Sequence, residues 1–174
     1  MFTAAQAAYK GVIMATVVRL TKEIEERLDD LAKKTGQTKS FYIREAIKEK
    51  LNDLEDICLS DEVMLRIRTG KEKIYKFDEV AKAFGDMINE TNLAWTFEFT
   101  ETATKQLKEF DKQIQEIILQ YLRDNIAMLD DPRERGRILT GKFVSYWCYR
   151  VGDYRVICDI NIKQFLILVI RRYD

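Results

Sequence analysis

Residues 147–157 read WCYRVGDYRVI, two runs of aromatic and β-branched residues separated by Gly152 and Asp153. Such runs predict two β-strands, and a glycine at the first of two turn positions predicts a type II′ hairpin because it accepts a positive φ. Side chains alternate between the two faces of a strand. We therefore expect Arg150 and Arg155 to lie close together on one face of the resulting sheet.

Two arginines on one sheet face suit a polyanion, because the guanidinium group stays charged and can hold a phosphate with two N–H groups. The plainer interpretation is that Arg150 and Arg155 are solvated surface charges that pair with Asp or Glu. The chain has 29 basic and 29 acidic residues and no net charge. Any surface that binds nucleic acid must therefore be local.

A longer pattern surrounds the hairpin. Two predicted helices come before it, followed by LTGK at residues 139–142, and the almost wholly apolar run FLILVI follows at residues 165–170. This order resembles a RelE-family toxin over residues 94–174, and the tract YRVGDYR at residues 149–155 is the most specific part. The resemblance implies a small α/β domain, with a helical hairpin on a mostly antiparallel sheet, that cuts messenger RNA, in many members only on the ribosome.

A nuclease of this kind needs few groups, because the RNA 2′-hydroxyl can itself attack the adjacent phosphate while the protein orients it and neutralises charge. The resemblance implies that Arg150 and Arg155 supply that charge. It also implies that Arg172 and Tyr173 are remnants of the family's C-terminal tail. Further arginines and a lysine either add phosphate contacts or form a solvated rim: Arg133, Arg135, Arg137 and Lys142.

The chain departs from this family at three points. Cys148 stands where family members commonly carry a basic residue, the C-terminal tail is short, and the sequence contains no histidine. Losing a general acid or base costs about 10²–10⁴-fold in rate. We therefore expect an impaired nuclease. The alternative is an active endonuclease that its own N-terminal half holds inhibited.

Residues 15–20 form a short β-type run ahead of two predicted helices. Thr21 is placed to cap the first helix and Gly36 to end it, and Thr38 or Ser40 can cap the second. A single strand with two short helices has unpaired edges and buries little apolar surface alone. We therefore expect two copies to pair their strands, with the apolar stripe of the second helix in the shared core: Ile43, Ala46, Ile47, Leu51 and Leu54.

This order, with VVRL at residues 17–20 and GQTKS at residues 36–40, resembles a ribbon-helix-helix repressor over residues 14–54. The resemblance implies a homodimer whose ribbon enters the major groove of operator DNA. Its expected DNA-binding residues are Val17, Arg19 and Thr21 on the bases, and the amides of Thr38, Lys39 and Ser40 on phosphate. Alternatively, Arg19 is a surface charge and Lys39 only solvates a helix end.

Residues 55–93 contain a predicted short helix capped by Ser60, an edge strand at residues 73–77, a helix after Asp78 and a linker at residues 86–92. This succession resembles the toxin-wrapping tail of a RelB-type antitoxin. Such an arm would bury its apolar residues on a neighbouring groove or sheet edge: Ile67, Tyr75 and Phe77. The alternative is a mobile connector between domains.

The sequence thus predicts an α+β protein that fuses an antitoxin to a toxin. Residues 1–13 are expected to be a disordered leader. The three cysteines have neither metal-site spacing nor an even disulfide set, so we predict no metal, no cofactor and a cytoplasmic location. No apolar run approaches the roughly 20 residues of a membrane span. A structural complex without DNA binding is a third functional class.

Overall fold

The computed structural model describes residues 17–85, 95–140 and 145–173. The chain divides into two compact units, one ending at Ile47 and the other beginning at Lys48. The predicted leader at residues 1–13, the predicted linker at residues 86–92, and Lys142 lie outside the described residues.

In the first unit, helix α1 (Lys22–Thr35) begins where the Thr21 hydroxyl accepts a hydrogen bond from the Ile24 amide at 3.5 Å. It ends at Gly36, whose φ of 75° lies in the left-handed region. The next helix begins where the Thr38 hydroxyl accepts from the Phe41 amide at 3.1 Å. Residues 17–20 belong to no strand of the single chain, so the ribbon remains a prediction that requires a second copy.

Helix α2 is continuous over 30 residues, Lys39–Arg68. The predicted separate helix starting at Ser60 is wrong, because Ser60 lies inside α2 and is fully buried. No glycine or proline interrupts residues 37–69, so nothing stops the helix, although Ser-Asp is a good capping signal. The predicted border between residues 54 and 55 lies within this helix.

The second unit contains one six-stranded sheet, in the order β1-β2-β6-β5-β4-β3. Every neighbouring pair is antiparallel except β2 and β6, so the predicted, mostly antiparallel sheet is confirmed. The strands are β1 (Ile74–Lys76), β2 (Thr96–Thr100), β3 (Arg137–Thr140), β4 (Ser145–Val151), β5 (Tyr154–Ile160) and β6 (Gln164–Arg172).

Three helices cover one face of this sheet: α3 (Phe77–Ala83), α4 (Glu101–Lys108) and α5 (Lys112–Tyr121). A π-helical turn (Leu122–Ile126) continues α5, and a short 3-10 helix (Pro132–Arg135) follows. One predicted start is corrected, because helix α3 begins at Phe77 rather than after Asp78. None of the helices in the described segments combines the length and apolar character needed to cross a bilayer.

The predicted hairpin is confirmed. Val151 pairs with Tyr154 across a two-residue turn in which Gly152 has a φ of 59°. Asp153 has no positive φ, since Lys163 is the one non-glycine residue with a positive φ in the described chain. A positive φ at the first turn position alone is the type II′ geometry, and this is why glycine stands there.

Strand β6 lies inside the sheet and is buried on both faces, as its apolar run predicts. Phe165, Ile167 and Ile170 belong to the core under α3, α4 and α5. Leu166, Leu168 and Val169 belong to a second core, which also contains Ile57 and Val63 of α2. The sheet is therefore a layer between α2 and the other helices of its unit.

A β-bulge changes the alternation of β6. Ile157 pairs with Val169, whereas Cys158 pairs with Ile167, so Leu168 is an extra residue without a partner in the ladder. A bulge of this kind shifts every later side chain to the opposite face. This shift decides which arginine at the end of β6 faces α2.

Candidate functional site

One face of the sheet carries four arginines from four strands. Arg150 of β4 lies directly opposite Arg155 of β5, and Arg155 lies opposite Arg171 of β6. Arg137 of β3 lies opposite Cys148, which shares its face with Arg150. Directly opposed residues point to the same side of a sheet. The predicted closeness of Arg150 and Arg155 is confirmed, and it forms part of a larger arginine cluster: Arg137, Arg150, Arg155 and Arg171.

Two aspartates of α2 hold the centre of the arginine cluster. Arg137 donates two hydrogen bonds to the two carboxylate oxygens of Asp53, at 2.8 and 2.6 Å. Arg155 donates to Asp53 at 2.8 Å and to Asp56 at 2.7 Å. Asp56 also accepts from Arg171. The result is a continuous chain of alternating arginines and aspartates.

The rim of the cluster is also paired with α2. Arg171 donates to Glu55 at 2.9 Å and to the side-chain oxygen of Asn52 at 3.1 Å. Arg150 donates to Glu49. A helix repeats every 3.6 residues, so acceptors at positions 49, 52, 53 and 56 fall on the side of α2 that faces the sheet.

The centre of the cluster excludes water. Arg155 is 1% exposed and Asp56 is fully buried. Burial opposes ionisation of Asp53, but the hydrogen bonds from Arg137 and Arg155 outweigh burial and hold the pKa of Asp53 below its ordinary value. Hydrogen bonding to Asp53 correspondingly raises the pKa of Arg137. Asp53 and Arg137 are therefore charged near neutral pH, and the carboxylates of α2 pair with arginines that the family resemblance assigns to RNA.

The end of the chain meets the cluster through Tyr173. Its ring lies 5.1 Å from the Arg155 guanidinium carbon and 5.6 Å from that of Arg150, and its hydroxyl donates to the Gly152 carbonyl at 3.2 Å. Three of the four residues predicted for catalysis thus come together: Arg150, Arg155 and Tyr173. Arg172 does not join them, because it pairs with Tyr154 on the other face of the sheet.

Cys148 lies at the edge of the cluster and is 2% exposed. Burial raises the pKa of its thiol to about 11, although the positive charge of Arg155 acts in the opposite direction. The group is therefore a neutral thiol at neutral pH and supplies neither a positive charge nor a thiolate nucleophile.

Two further arginines predicted as phosphate contacts lie elsewhere. Arg133 donates to the Ile160 carbonyl at 3.0 Å and stacks over Trp95 at 5.6 Å. Arg135 donates to the side chain of Asn125 at 3.1 Å. The structure uses these two arginines in local contacts outside the arginine cluster.

The residues predicted to wrap the toxin contact the same unit. Tyr75 pairs with Phe99 across β1 and β2, and Phe77 lies within 6.1 Å of Phe97, measured between ring centroids. Ile67 is partly buried against the second core. A polar contact fixes the turn after α2, since Arg66 donates to Glu72 at 2.8 Å and the Thr102 amide donates to Glu72 at 2.7 Å.

The residues predicted to bind DNA are mostly at the surface of the first unit. Val17 is 90% exposed, and Arg19 and Ser40 are exposed as well. Lys39 lies 3.0 Å from both Glu25 and Asp29, which hydrogen-bond its ammonium group and raise its pKa. The hydroxyls of Thr21 and Thr38 cap α1 and α2.

Two family models match parts of the chain. Residues 97–172 match the ParE toxin family, described as the ParE toxin of the type II toxin–antitoxin system parDE. The C-terminal part of this chain is therefore similar to toxins of type II toxin–antitoxin systems. The predicted toxin–antitoxin resemblance is confirmed for residues 97–172, but the matching description names no RNA cleavage. Residues 14–84 match a family of unknown function (DUF6290), whose model spans both predicted N-terminal modules.

A solved structure is similar to less than half of the chain. The RelBE2 toxin–antitoxin complex from Mycobacterium tuberculosis contains a chain with 21% identity and a TM-score of 0.42; the match covers 46% of this chain and 99% of that chain. A likeness at so low an identity and TM-score assigns neither an activity nor a partner. No curated protein matches the sequence. In the described segments, no group of His, Cys, Asp and Glu is arranged to hold a metal ion.

Proposed function

We propose that this chain is a type II toxin–antitoxin fusion in which α2 silences the toxin domain of its own chain. One observation carries the proposal. Asp53 and Asp56 of α2 accept hydrogen bonds from Arg137 and Arg155 at 2.6–2.8 Å. Asp56 also accepts a hydrogen bond from Arg171. A phosphate that bound these arginines would have to displace α2, since the same donors cannot serve both anions.

The division of labour follows the predicted segments. Residues 14–54 dimerise and bind operator DNA as an autorepressor, residues 55–93 form the arm and linker, and residues 94–174 form the toxin domain. The location is the cytoplasm, and no metal or cofactor takes part. Because α2 crosses the border between the first two segments, the DNA-binding module and the cover of the arginine cluster share one helix.

We further propose that the toxin domain is impaired as an mRNA-cutting enzyme. Cleavage needs groups that move protons, and the chain has no histidine. Cys148 is a neutral, buried thiol, and Arg172 points away from the arginine cluster. Arg150, Arg155 and Tyr173 remain for charge neutralisation and RNA positioning, which supports binding of RNA better than its cleavage.

A second candidate is an active ribosome-dependent endonuclease that α2 holds inhibited. The assembly of Arg150, Arg155 and Tyr173 favours it. One experiment distinguishes the two candidate functions. A protease site is inserted between residues 86 and 92, the cleaved fragments are separated in denaturant, and the C-terminal fragment is refolded. We expect no cutting of messenger RNA on ribosomes by a fragment that circular dichroism shows to be folded. Cutting that returns to zero when the N-terminal fragment is added back would establish the active enzyme.

DNA binding and dimerisation rest on the surface of the first unit. Its exposed apolar side chains need a cover that the single chain lacks among the described residues: Val17, Val18, Ile24, Leu31, Phe41 and Ile47. A second copy that pairs its strand with residues 17–20 would cover them and place Arg19 against base edges. Gel shifts test this. Arg19→Ala should weaken specific binding at least tenfold, whereas Lys112→Ala should not. Undiminished affinity of Arg19→Ala would favour a structural complex without DNA binding.

A further inference from the structure

The contacts between α2 and the sheet change along the helix from charged or polar to mainly apolar. From Glu49 to Asp56 the contacts that face the sheet are charged or polar, and their partners are arginines. From Ile57 onward they are mainly apolar, with one polar contact to the sheet, in which the Tyr146 hydroxyl donates a hydrogen bond to Asp61 at 2.5 Å. Ile57, Val63 and Ile67 pack with the second core, whose sheet residues include Leu139, Leu166 and Leu168. The two halves of the contact therefore have different physical origins.

The charged half is poorly suited to supply stability. Arg155 and Asp56 have left water almost completely. The loss of hydration roughly cancels the attraction within such a pair, whereas removal of one member strands the other as a buried charge. In this half, the buried Nε of Arg155 also lacks a hydrogen-bond partner among the described residues.

We infer that Asp56 and Arg155 are specificity-determining residues, which select the sheet surface that α2 accepts, while the apolar half of α2 supplies most of the stability of the contact. This inference rests on the proposed role of α2 as the cover of a toxin domain. Asp56 rejects a surface without an arginine at position 155, because its carboxylate would be buried without a sufficient donor. Discrimination by an unpaired buried charge is a general means of excluding wrong partners.

Replacement of both Asp56 and Arg155 by apolar residues of similar size leaves few charged groups without a hydrogen-bond partner. In the Asp56→Leu/Arg155→Met chain, Asp53 keeps its two hydrogen bonds from Arg137, and Arg171 keeps Glu55 and Asn52. The two single variants are different. Among the described hydrogen bonds, Asp56→Leu leaves Arg155 with the bond to Asp53, and Arg155→Met leaves a fully buried Asp56 with the bond from Arg171.

The test is a double-mutant cycle on the full-length chain. Both tryptophans, Trp95 and Trp147, lie in the second unit, so their fluorescence reports thermal unfolding of that unit alone. We expect each single variant to lower the midpoint by roughly 10 °C, as stranding a buried charge does in a chain of this size. The double variant should unfold within about 3 °C of the wild type or above it.

The exposed pair Glu49 and Arg150 provides the matched control. Its side chains are 52% and 47% exposed, and exposed pairs contribute little. We expect Glu49→Leu, Arg150→Met and their combination to shift the midpoint by about 2 °C at most, with no coupling between the two changes.

Two results would overturn the inference. A double variant as unstable as the single variants would mean that the ion pair supplies stability rather than selection. Single variants that unfold with the wild type would mean that α2 does not discriminate at this position. Neither outcome depends on RNA cleavage or DNA binding, so failure here is distinguishable from failure of the proposed function.

Discussion

Arg155 is the residue on which the covered site depends. It is 1% exposed, it donates to both aspartates of α2, and it lies against the ring of Tyr173. A buried guanidinium in a sheet is costly unless its donors are paired. The carboxylates of α2 therefore offset the cost of burying the Arg155 guanidinium.

Cysteine reactivity tests the burial of the arginine cluster at residue scale. Cys58 is exposed, whereas Cys148 is buried with a pKa raised to about 11. Because the thiolate is the reactive form, we expect iodoacetamide at pH 8 to modify Cys58 at least 100-fold faster than Cys148. Peptide mass spectrometry after timed quenching gives both rates, and Cys158, which is buried and has a raised pKa, serves as the protected reference. Comparable rates at Cys58 and Cys148 would mean that the sheet face is open.

Arg171 and Arg172 show how far sequence reasoning reaches at this scale. In a regular strand Arg172 would share a face with Leu166 and Leu168 and would meet α2. The bulge at Leu168 moves Arg171 to that position instead. The hairpin and the closeness of Arg150 and Arg155 follow from local alternation, which the sequence contains. The bulge arises from the pairing of β5 with β6, and no residue type in β6 allows its position to be predicted from the sequence.

The two neighbouring arginines give a paired prediction. Arg171→Ala removes the hydrogen bonds to Asp56, Glu55 and Asn52, and hydrogen bonds to charged groups contribute about 1.5–3 kcal/mol. We expect the unfolding midpoint of the second unit to fall by roughly 5 °C. Arg172→Ala changes an exposed residue and should stay within about 2 °C of the wild type. The reverse order of these two shifts would contradict the register of β6.

At the scale of elements, α2 is the part that the sequence described least well. Its N-cap at Thr38 follows from local chemistry and is observed. Its continuity through Ser60 does not follow, because Ser-Asp also begins helices well. Packing favours the continuous helix, because Ile57, Val63 and Ile67 all reach the second core from it.

Acid sensitivity tests the cover that α2 provides. The folded-state pKa of Asp53 lies below its ordinary value, so Asp53 contributes stability that is fully present above about pH 4 and is lost as pH falls through the folded-state pKa. Glu72 acts in the same direction. Burial raises its pKa, but the hydrogen bonds from Arg66 and Thr102 outweigh burial and hold the pKa below its ordinary value. We expect the free energy of unfolding of the second unit to decline below pH 4 by urea titration. Asp53→Asn should flatten this decline and lower stability at pH 7.

At the scale of the whole molecule, the chain joins an N-terminal unit with an apolar surface to a C-terminal unit whose basic site is already filled. Among the described residues, the first unit leaves apolar side chains exposed, whereas the arginine cluster of the second unit is paired with acidic groups of α2. This contrast is what the proposed repressor with a silenced toxin domain would require. The net charge of zero fits the same arrangement, since acidic residues of α2 form ion pairs with arginines of the sheet.

Assembly supplies a prediction at this scale. Val18 is 57% exposed and lies in the segment expected to form the ribbon. We expect the wild-type chain to sediment as a dimer at micromolar concentration, and Val18→Lys to shift it toward the monomer, because a buried lysine at the ribbon would lack a partner. Tryptophan-detected unfolding of the second unit should be the same in both. A wild-type chain that is monomeric at high concentration would contradict the ribbon and the repressor together.

The central claim is that α2 covers the arginines of the toxin domain within its own chain. The most direct test is modification of arginines by phenylglyoxal on the folded full-length protein, mapped by mass spectrometry. Arg172 is exposed on the other face and provides the internal reference. We predict that Arg155 remains unmodified and that Arg171 reacts at least tenfold more slowly than Arg172, with Arg155 becoming reactive in Asp56→Ala. Modification of Arg155 at the rate of Arg172 in the wild-type chain would contradict the account.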